Sequence, residues 1–143
     1  MTKFIVLSIF ILIIFIQEVN FASAFVTGYT IHIINALPNN DVPLSVQCES
    51  KDNNLKKKNL KVGEELSLSL RGNDVNTTRY YSHYWWGSKN QFFDVFNKDI
   101  SHDCGKISEN NFECFWEVQD DGFYFGGHNF PGSYSKRFAW NNV

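Results

Sequence analysis

The sequence lacks an excess of charge of either sign. Its 13 lysine and arginine residues stand against 15 aspartate and glutamate residues, a net charge of −2 at pH 7. Nucleic-acid-binding domains usually carry a strongly basic face, so this balance predicts no nucleic-acid partner. The one basic cluster, Lys56-Lys57-Lys58 with Lys61, is flanked by polar residues, which is typical of a solvated loop.

Motifs of cofactor, metal and catalytic sites are also missing. The three cysteines form no CxxC pair, which argues against zinc. The sequence has no P-loop, GxGxxG, GxSxG or HExxH pattern. A hydrolase needs a nucleophile, a base and an orienting group. Because no such set stands out, we expect a protein with no cofactor, no metal and no enzymatic activity.

What the sequence does contain begins with a leader. Lys3 is followed by an apolar run over 4–16 and by the small residues Ala22-Ser23-Ala24. This order is typical of a secretory signal peptide, and the apolar run is too short for a helix that crosses a bilayer core of about 30 Å. We expect residues 1–24 to be removed and residues 25–143 to form one secreted, extracellular domain. An N-terminal membrane anchor is the alternative.

Secretion gives meaning to the cysteines and to one sequon. In an oxidising compartment, Cys48, Cys104 and Cys114 predict one disulfide and one free thiol. The NTT tripeptide at Asn76 is the only N-x-[ST] sequon in the chain and predicts a glycosylated surface loop.

Two segments offer a catalytic alternative. In SHDC, His102 stands near Cys104, but Cys104 has an alternative use in a disulfide. Asp120 and Asp121 precede Gly122, which is more typical of a turn between strands than of two carboxylates held across a substrate. We assign no catalytic residue from either segment.

Period-two alternation dominates the rest of the chain. It is clearest in ELSLSL, where three leucines alternate with two serines, and turn residues such as those of PNND, RGND and QDDG separate the runs. About 7–8 short strands without a long helical pattern predict an all-β fold, a small antiparallel β-sandwich. The runs are 28–34, 42–48, 65–70, 79–86, 91–97, 112–118, 122–125 and 135–140.

The aromatic run RYYSHYWW allows two interpretations. Alternate side chains of a strand face opposite sides of the sheet, so half of these rings would pack in the core, which is the usual role of aromatic residues in a strand. The other half is exposed, and exposed aromatics often mark binding surfaces. An extracellular carbohydrate-binding or defence module that uses Tyr80, Tyr84, Trp85 and Trp86 is therefore the alternative function.

The order of motifs after the leader resembles the plant self-incompatibility S-protein family, the S-protein homologues. The strand TIHIINAL is followed by LSVQCESKDNNL and VGEELSLSL. YYSHYWWGSKNQFFDVFN and CFWEVQDDGFYF complete the order. The resemblance covers essentially the whole of 25–143. Its sharpest parts are Cys48-x-Ser50-Lys51-Asp52, Trp86-Gly87 with Phe92-Phe93-Asp94-Val95, and Cys114-x-Trp116 with Asp121-Gly122.

The resemblance implies a small, disulfide-linked secreted β-sandwich that acts as a signal and not as an enzyme. Its partner would be a plasma-membrane receptor on a neighbouring cell, in pollen–pistil recognition or in other cell–cell signalling. We expect a monomer that does not insert into membranes. Strand-connecting loops carry specificity on a rigid sandwich, so we expect the receptor to contact 50–58, 71–78 and 87–90. The residues singled out are Lys51, Asp52, Asn53, Asn54, Asn73 and Asp74.

The chain departs from the family pattern in two places. Members often read DDDLG after the Ser-Lys pair, where this chain has Asp52-Asn53-Asn54-Leu55-Lys56, which changes the charge of an exposed loop. Ser82 stands where members often have a cysteine, so Cys48 lacks its partner. The resemblance then implies a disulfide between Cys104 and Cys114. Pairing of Cys48 with either of them is the alternative.

Overall fold

The structure is a computed structural model in which residues 2–11, 26–72 and 77–142 are described. Residues 2–11 form a helix (α1) with every side chain exposed. In the described part of the chain, no helix has both the length and the apolar character needed to span a membrane. The expected cleavage after Ala24 lies outside the described residues, so the 1–24 leader and its removal stay a prediction.

The domain that follows is built from strands and one helical turn. The strands are β1 (Gly28–Asn35), β2 (Leu44–Ser50), β3 (Lys58–Leu60), β4 (Glu65–Arg71), β5 (Tyr80–Trp86), β6 (Lys89–Phe96), β7 (Gly105–Ser108), β8 (Asn111–Gln119), β9 (Gly122–Gly126), β10 (Ser135–Phe138) and β11 (Asn141–Asn142), with the helix α2 (Lys98–Ser101) between β6 and β7.

These strands form two sheets. Sheet A has the order β10-β9-β8-β1-β4, with β7 paired to the beginning of β8. Sheet B has the order β11-β6-β5-β2-β3. The predicted all-β sandwich is confirmed. Two details differ from the prediction: the described residues contain eleven strands where about 7–8 were expected, and β1 pairs with β8 in parallel. A parallel pair needs a long crossover connection, and here that connection contains all of β2 to β7.

One apolar core fills the space between the sheets. Ile31 and Ile33 from sheet A are fully buried, as are Val46 and Tyr84 from sheet B. The Trp116 indole joins the sheets because its Nε1 donates a hydrogen bond to the Val95 carbonyl at 3.0 Å. Buried polar groups must be paired, so this bond fixes the depth at which Trp116 enters the core.

The disulfide lies at the entry to the β7–β8 hairpin. Gly105 pairs with Glu113 in that hairpin, which places Cys104 opposite Cys114, and the two are disulfide-bonded with their Cα atoms 4.6 Å apart. Upstream, the Asn97 side chain caps α2 by accepting a hydrogen bond from the Ile100 amide at 2.9 Å. Cys48 is the free cysteine and is buried.

Candidate functional site

The two longest receptor-facing segments of the sequence analysis meet at one end of the sandwich. Here β2 and β4 end and β5 begins, around a cleft of about 570 Å³. We call it the end cleft. Its lining has hydroxyl-bearing, aromatic and charged residues: Thr27, Tyr29, Ser50, Lys51, Asp52, Asn53, Ser69, Leu70, Arg71, Gly72, Thr77, Thr78, Arg79, Tyr80 and Phe96.

The floor of the end cleft is aromatic and rigid. The Tyr29 and Phe96 rings lie 5.0 Å apart, one from each sheet. The Tyr80 hydroxyl accepts a hydrogen bond from Asn53 Nδ2 at 3.3 Å. Tyr80 and Phe96 belong to the core and Tyr29 packs against it, so the floor of the end cleft is continuous with the packed interior.

Four of the predicted site residues lie in the β2–β3 loop: Asn53 and Asn54 form hydrogen bonds that hold it, and Lys51 and Asp52 form its tip. The Asn53 carbonyl accepts from the Ser50 amide at 2.7 Å, and the Asn53 amide donates to Ser50 Oγ at 3.1 Å. Asn54 accepts from Gln47 Nε2 at 3.2 Å. Lys51 and Asp52 are exposed at the tip of this loop. Asn53 and Asn54 therefore hold the loop in place, and Lys51 and Asp52 extend from its tip into solvent.

Cations outnumber acids around the end cleft. Lys51, Arg71 and Arg79 line it with Asp52 as the one carboxylate among the described lining residues. Arg79 Nε pairs with Asp94 at 2.8 Å. Lys51 and Arg71 are both exposed, so the rim presents positive charge although the whole chain is slightly acidic. Arg71 lies in the predicted segment 71–78 without having been named individually, and Arg79 was not predicted, because its proximity to Lys51 depends on the fold.

Three of the predicted site residues lie outside the described residues, namely Asn73, Asp74 and the sequon asparagine Asn76. Their roles stay predictions. The remaining predicted segment, 87–90, comprises the β5–β6 turn and the first two residues of β6, and Gly87 in the turn has a φ of +59°. It lies at the other end of β5 from the end cleft, so the three segments do not form one surface.

The two segments with catalytic alternatives have structural uses. Cys104 is bonded to Cys114, which removes it as a nucleophile. The Asp120-Asp121 turn joins β8 to β9, and Asp121 accepts a hydrogen bond from the Tyr124 hydroxyl at 2.7 Å, which lowers the pKa of its carboxyl. A Cβ at Gly122 would lie 2.2 Å from the Phe138 carbonyl oxygen, so β10 requires glycine there. No metal-binding group of three or more His, Cys, Asp or Glu occurs among the described residues.

The structure contradicts part of the alternative function, a carbohydrate-binding surface made of Tyr80, Tyr84, Trp85 and Trp86. Tyr80 and Tyr84 lie on the inner face of β5 at 9% and 0% exposure, so neither contributes to a ligand surface on the outer face of sheet B. Trp86 is partly exposed and packs on Trp140, with ring centres 5.7 Å apart. Of the four residues proposed, Trp85 alone lies on the outer face of β5, where it joins residues that the sequence analysis did not select: Tyr81, His83 and, from β6, Phe92.

Comparisons with known proteins agree with this architecture. The family model described as Plant self-incompatibility protein S1 matches residues 30–140. Self-incompatibility protein S1 of Papaver rhoeas is 30% identical over 81 residues, which cover 57% of this chain and 56% of that protein. S-protein homolog 21 of Arabidopsis thaliana is 30% identical over 106 residues, which cover 73% of this chain and 78% of that protein.

A solved structure shares the fold. It represents the SPH (Self-Incompatibility Protein Homologue) proteins, described as a widespread family of small, highly stable, secreted proteins from plants. The TM-score is 0.60 at 15% sequence identity, and the match covers 81% of this chain and 96% of the solved one.

The fold and its disulfide define the class, a small disulfide-linked β-sandwich. Within that class, the chain belongs to the plant self-incompatibility S1 family. The resemblance stated from the sequence is thereby confirmed. The proteins of the solved structure are described as secreted, which agrees with the predicted extracellular location.

Proposed function

We propose that the protein is a non-enzymatic extracellular signal that binds a plasma-membrane receptor on a neighbouring cell through the end cleft. The observation that carries this proposal is the convergence of the loops at 50–58 and 71–78 on one cleft. Loops on a rigid scaffold are where recognition usually resides. Family membership supports the class of function, and pollen–pistil recognition is one setting in which such a signal acts.

The chemistry of the end cleft suggests how the receptor is recognised. Lys51, Arg71 and Asp52 present charge at its rim, and Tyr29 and Phe96 present apolar surface below. Interfaces of this kind combine a central aromatic anchor with a charged rim that guides association. The receptor surface is therefore expected to be acidic around an apolar side chain that enters the end cleft.

The test uses the full chain expressed in plant cells and recovered from the medium. Sequencing of the secreted product should begin at Phe25, and an endoglycosidase should reduce its mass if Asn76 is glycosylated. Fluorescently labelled protein should bind saturably to plant plasma membranes, and size-exclusion chromatography with light scattering should give a monomer.

A matched pair of double variants locates the binding surface. Lys51→Ala with Asp52→Ala changes the tip of the β2–β3 loop, and Lys98→Ala with Asp99→Ala changes the same exposed residue types on α2. We expect the first to weaken binding about tenfold or more and the second to leave it unchanged. Equal affinities for both variants and the unmodified protein would exclude the end cleft as the receptor site.

A further inference from the structure

The outer face of sheet B carries an unbroken strip of aromatic rings, which we call the aromatic strip: Tyr81, His83 and Trp85 of β5 with Phe92 of β6. The His83 and Trp85 ring centres are 3.9 Å apart and stacked. Phe92 bridges to His83 at 5.8 Å and to Tyr81 at 5.3 Å. From Tyr81 to Trp85 the strip is roughly 13 Å long at about 3.3 Å per strand residue.

The aromatic strip is not part of the core. Its β5 residues alternate with Tyr80, Ser82 and Tyr84, which face inward and are buried. Phe92 is 52% exposed, and Tyr81, His83 and Trp85 are partly exposed. Contiguous exposed aromatic surface on a small secreted domain is unusual unless a ligand covers it.

Polar side chains of β2 and its loop border the strip on one side. Ser45 lies opposite Trp85, and Gln47 lies opposite His83 in the β2–β5 register. Ser45 Oγ donates to Asn59 at 2.6 Å, and Gln47 donates to Asn54 at 3.2 Å. The strip therefore combines flat apolar rings with a row of hydroxyl and amide groups. The rings suit the apolar C–H face of a sugar, and the polar groups suit the hydroxyls at its edge.

The charge next to the Trp85 end of the strip is positive. Lys57 Nζ lies 3.9 Å from the centre of the Trp85 ring, a cation–π contact. Lys56 and Lys58 flank it and are exposed. None of these three lysines has an ion-pair partner among the described carboxylates. The acids on this face lie at the opposite, Tyr81 end of the strip, where Asp94 pairs with Arg79 and Glu49 accepts a hydrogen bond from the Tyr81 hydroxyl at 3.1 Å.

We propose that the aromatic strip binds an acidic polysaccharide, a chain of uronic-acid residues. Sugar rings stack on Trp85 and Phe92, Ser45 and Gln47 bond ring hydroxyls, and a carboxylate draws the Lys57 ammonium into an ion pair. This site is separate from the end cleft and does not depend on the receptor proposal. It gives the protein a way to be retained in a matrix of acidic glycan.

Isothermal titration calorimetry on the secreted protein tests the proposal with three probes of equal chain length. These are polygalacturonate, a neutral β-glucan, and polyglutamate as an anion without sugar rings. We expect polygalacturonate to bind with quenching of tryptophan fluorescence and the other two to bind at least about tenfold more weakly, the discrimination expected when both stacking and charge are needed.

Variants then separate stacking from charge. Trp85→Ala and Phe92→Ala should each weaken polygalacturonate binding about tenfold or more. Loss of one aromatic ring that stacks on a base has an effect of this size in nucleic-acid-binding proteins. Lys57→Gln should weaken it by a smaller factor and reduce its salt dependence. Phe130→Ala, which removes a ring that is 56% exposed on the loop between β9 and β10, is the matched control and should bind as the unmodified protein does.

The outcomes that overturn the proposal are distinct. Polyglutamate binding as tightly as polygalacturonate would show attraction between charges alone. Normal binding by both Trp85→Ala and Phe92→Ala would exclude the strip. Self-association that is lost in Trp85→Ala, without glycan binding, would show that a second copy covers it. All the altered side chains face outward, so we expect each variant to keep the sandwich. Thermal unfolding of each variant checks this.

Discussion

Sheet A carries a disulfide between neighbouring segments, whereas a cross-strand pair in sheet B consists of a thiol and a hydroxyl. Cys104 and Cys114 are bonded at the β7–β8 hairpin. In sheet B, Cys48 lies directly opposite Ser82 in the β2–β5 register, with sulfur and oxygen in hydrogen-bond contact. Ser82 is the position where the family resemblance places a cysteine. The difference is that sheet B brings two side chains together as a cross-link would, with a hydroxyl in place of one sulfur atom.

The outer faces of the sheets differ as clearly. On sheet A, His32 stacks on Phe115 and contacts Glu65 at 3.0 Å and Glu113 at 3.4 Å, so its polar groups are engaged within the protein. On sheet B, the aromatic strip and Lys57 face outward. His32 on sheet A is therefore paired within the protein, whereas the rings and lysine of sheet B are left accessible to solvent.

The largest expected effect comes from making sheet B like sheet A. Ser82→Cys should form a disulfide with Cys48, because the two side chains already touch. Closing a loop between residues 34 apart should raise the free energy of unfolding by about 3–4 kcal/mol in the chain-entropy model. Guanidinium unfolding with and without a reducing agent measures the gain. Two free thiols in the oxidised variant would show that the backbones are not placed for a cross-link.

The reverse change makes sheet A like sheet B. Cys104→Ala removes a disulfide whose cysteines are 10 residues apart, and this should lower the free energy of unfolding by about 2–3 kcal/mol. Reducing agent should destabilise the unmodified protein by a similar amount and leave the variant unchanged. If the variant matches the oxidised protein in stability, the hairpin is fixed by its hydrogen bonds and not by the disulfide.

The free thiol of sheet B gives stability a dependence on pH that the bonded pair of sheet A does not have. Burial raises the pKa of Cys48 from 9.0 to about 11 in the folded protein, with a hydrogen bond from Ser82 opposing the change. The thiol ionises more easily when unfolded, so its contribution is complete below pH 9 and is lost as pH rises towards 11. The loss should amount to about 2–3 kcal/mol.

Cys48→Ala is the comparison that isolates this effect. Its stability should fall less steeply between pH 9 and 11 than that of the unmodified protein, measured by urea unfolding at each pH. In the folded protein Cys48 should also react slowly with a thiol reagent, and quickly once unfolded. Parallel pH profiles for the two proteins would show that the thiol ionises as readily in the folded state as in the unfolded one.

The same comparison shows what the sequence could predict. Period-two runs located eight strands because half-buried strands alternate, as in β4, where Leu68 is buried between exposed serines. The short strands β3, β7 and β11 were missed because strands of two to four mostly exposed residues leave little pattern. The parallel pairing of β1 with β8 was missed too, since no local signal records a register between distant strands.

The sites divide in the same way. The loops around the end cleft were identified from polarity, but their convergence is a property of the fold. The aromatic alternative mixed residues from both faces of β5. The signal that could have corrected it is the parity of the run: Tyr81, His83 and Trp85 share one face, and the other includes Ser82, opposite the Cys48 of an apolar face.

The smallest expected effect comes from removing the Tyr84 hydroxyl, which lies beside the contact between Cys48 and Ser82. The Tyr84 hydroxyl is buried next to Ser82 without a well-formed hydrogen bond among the described residues, and burial raises its pKa well above the usual value. Removing a buried polar group that lacks a partner is neutral or stabilising, so Tyr84→Phe should raise the free energy of unfolding by about 0–1 kcal/mol. Denaturant unfolding beside Tyr124→Phe, which does lose a hydrogen bond to Asp121, gives the matched control. A loss in Tyr84→Phe larger than in Tyr124→Phe would mean that the hydroxyl is paired in solution, and that Cys48, Ser82 and Tyr84 act as one hydrogen-bonded group in place of the cross-link.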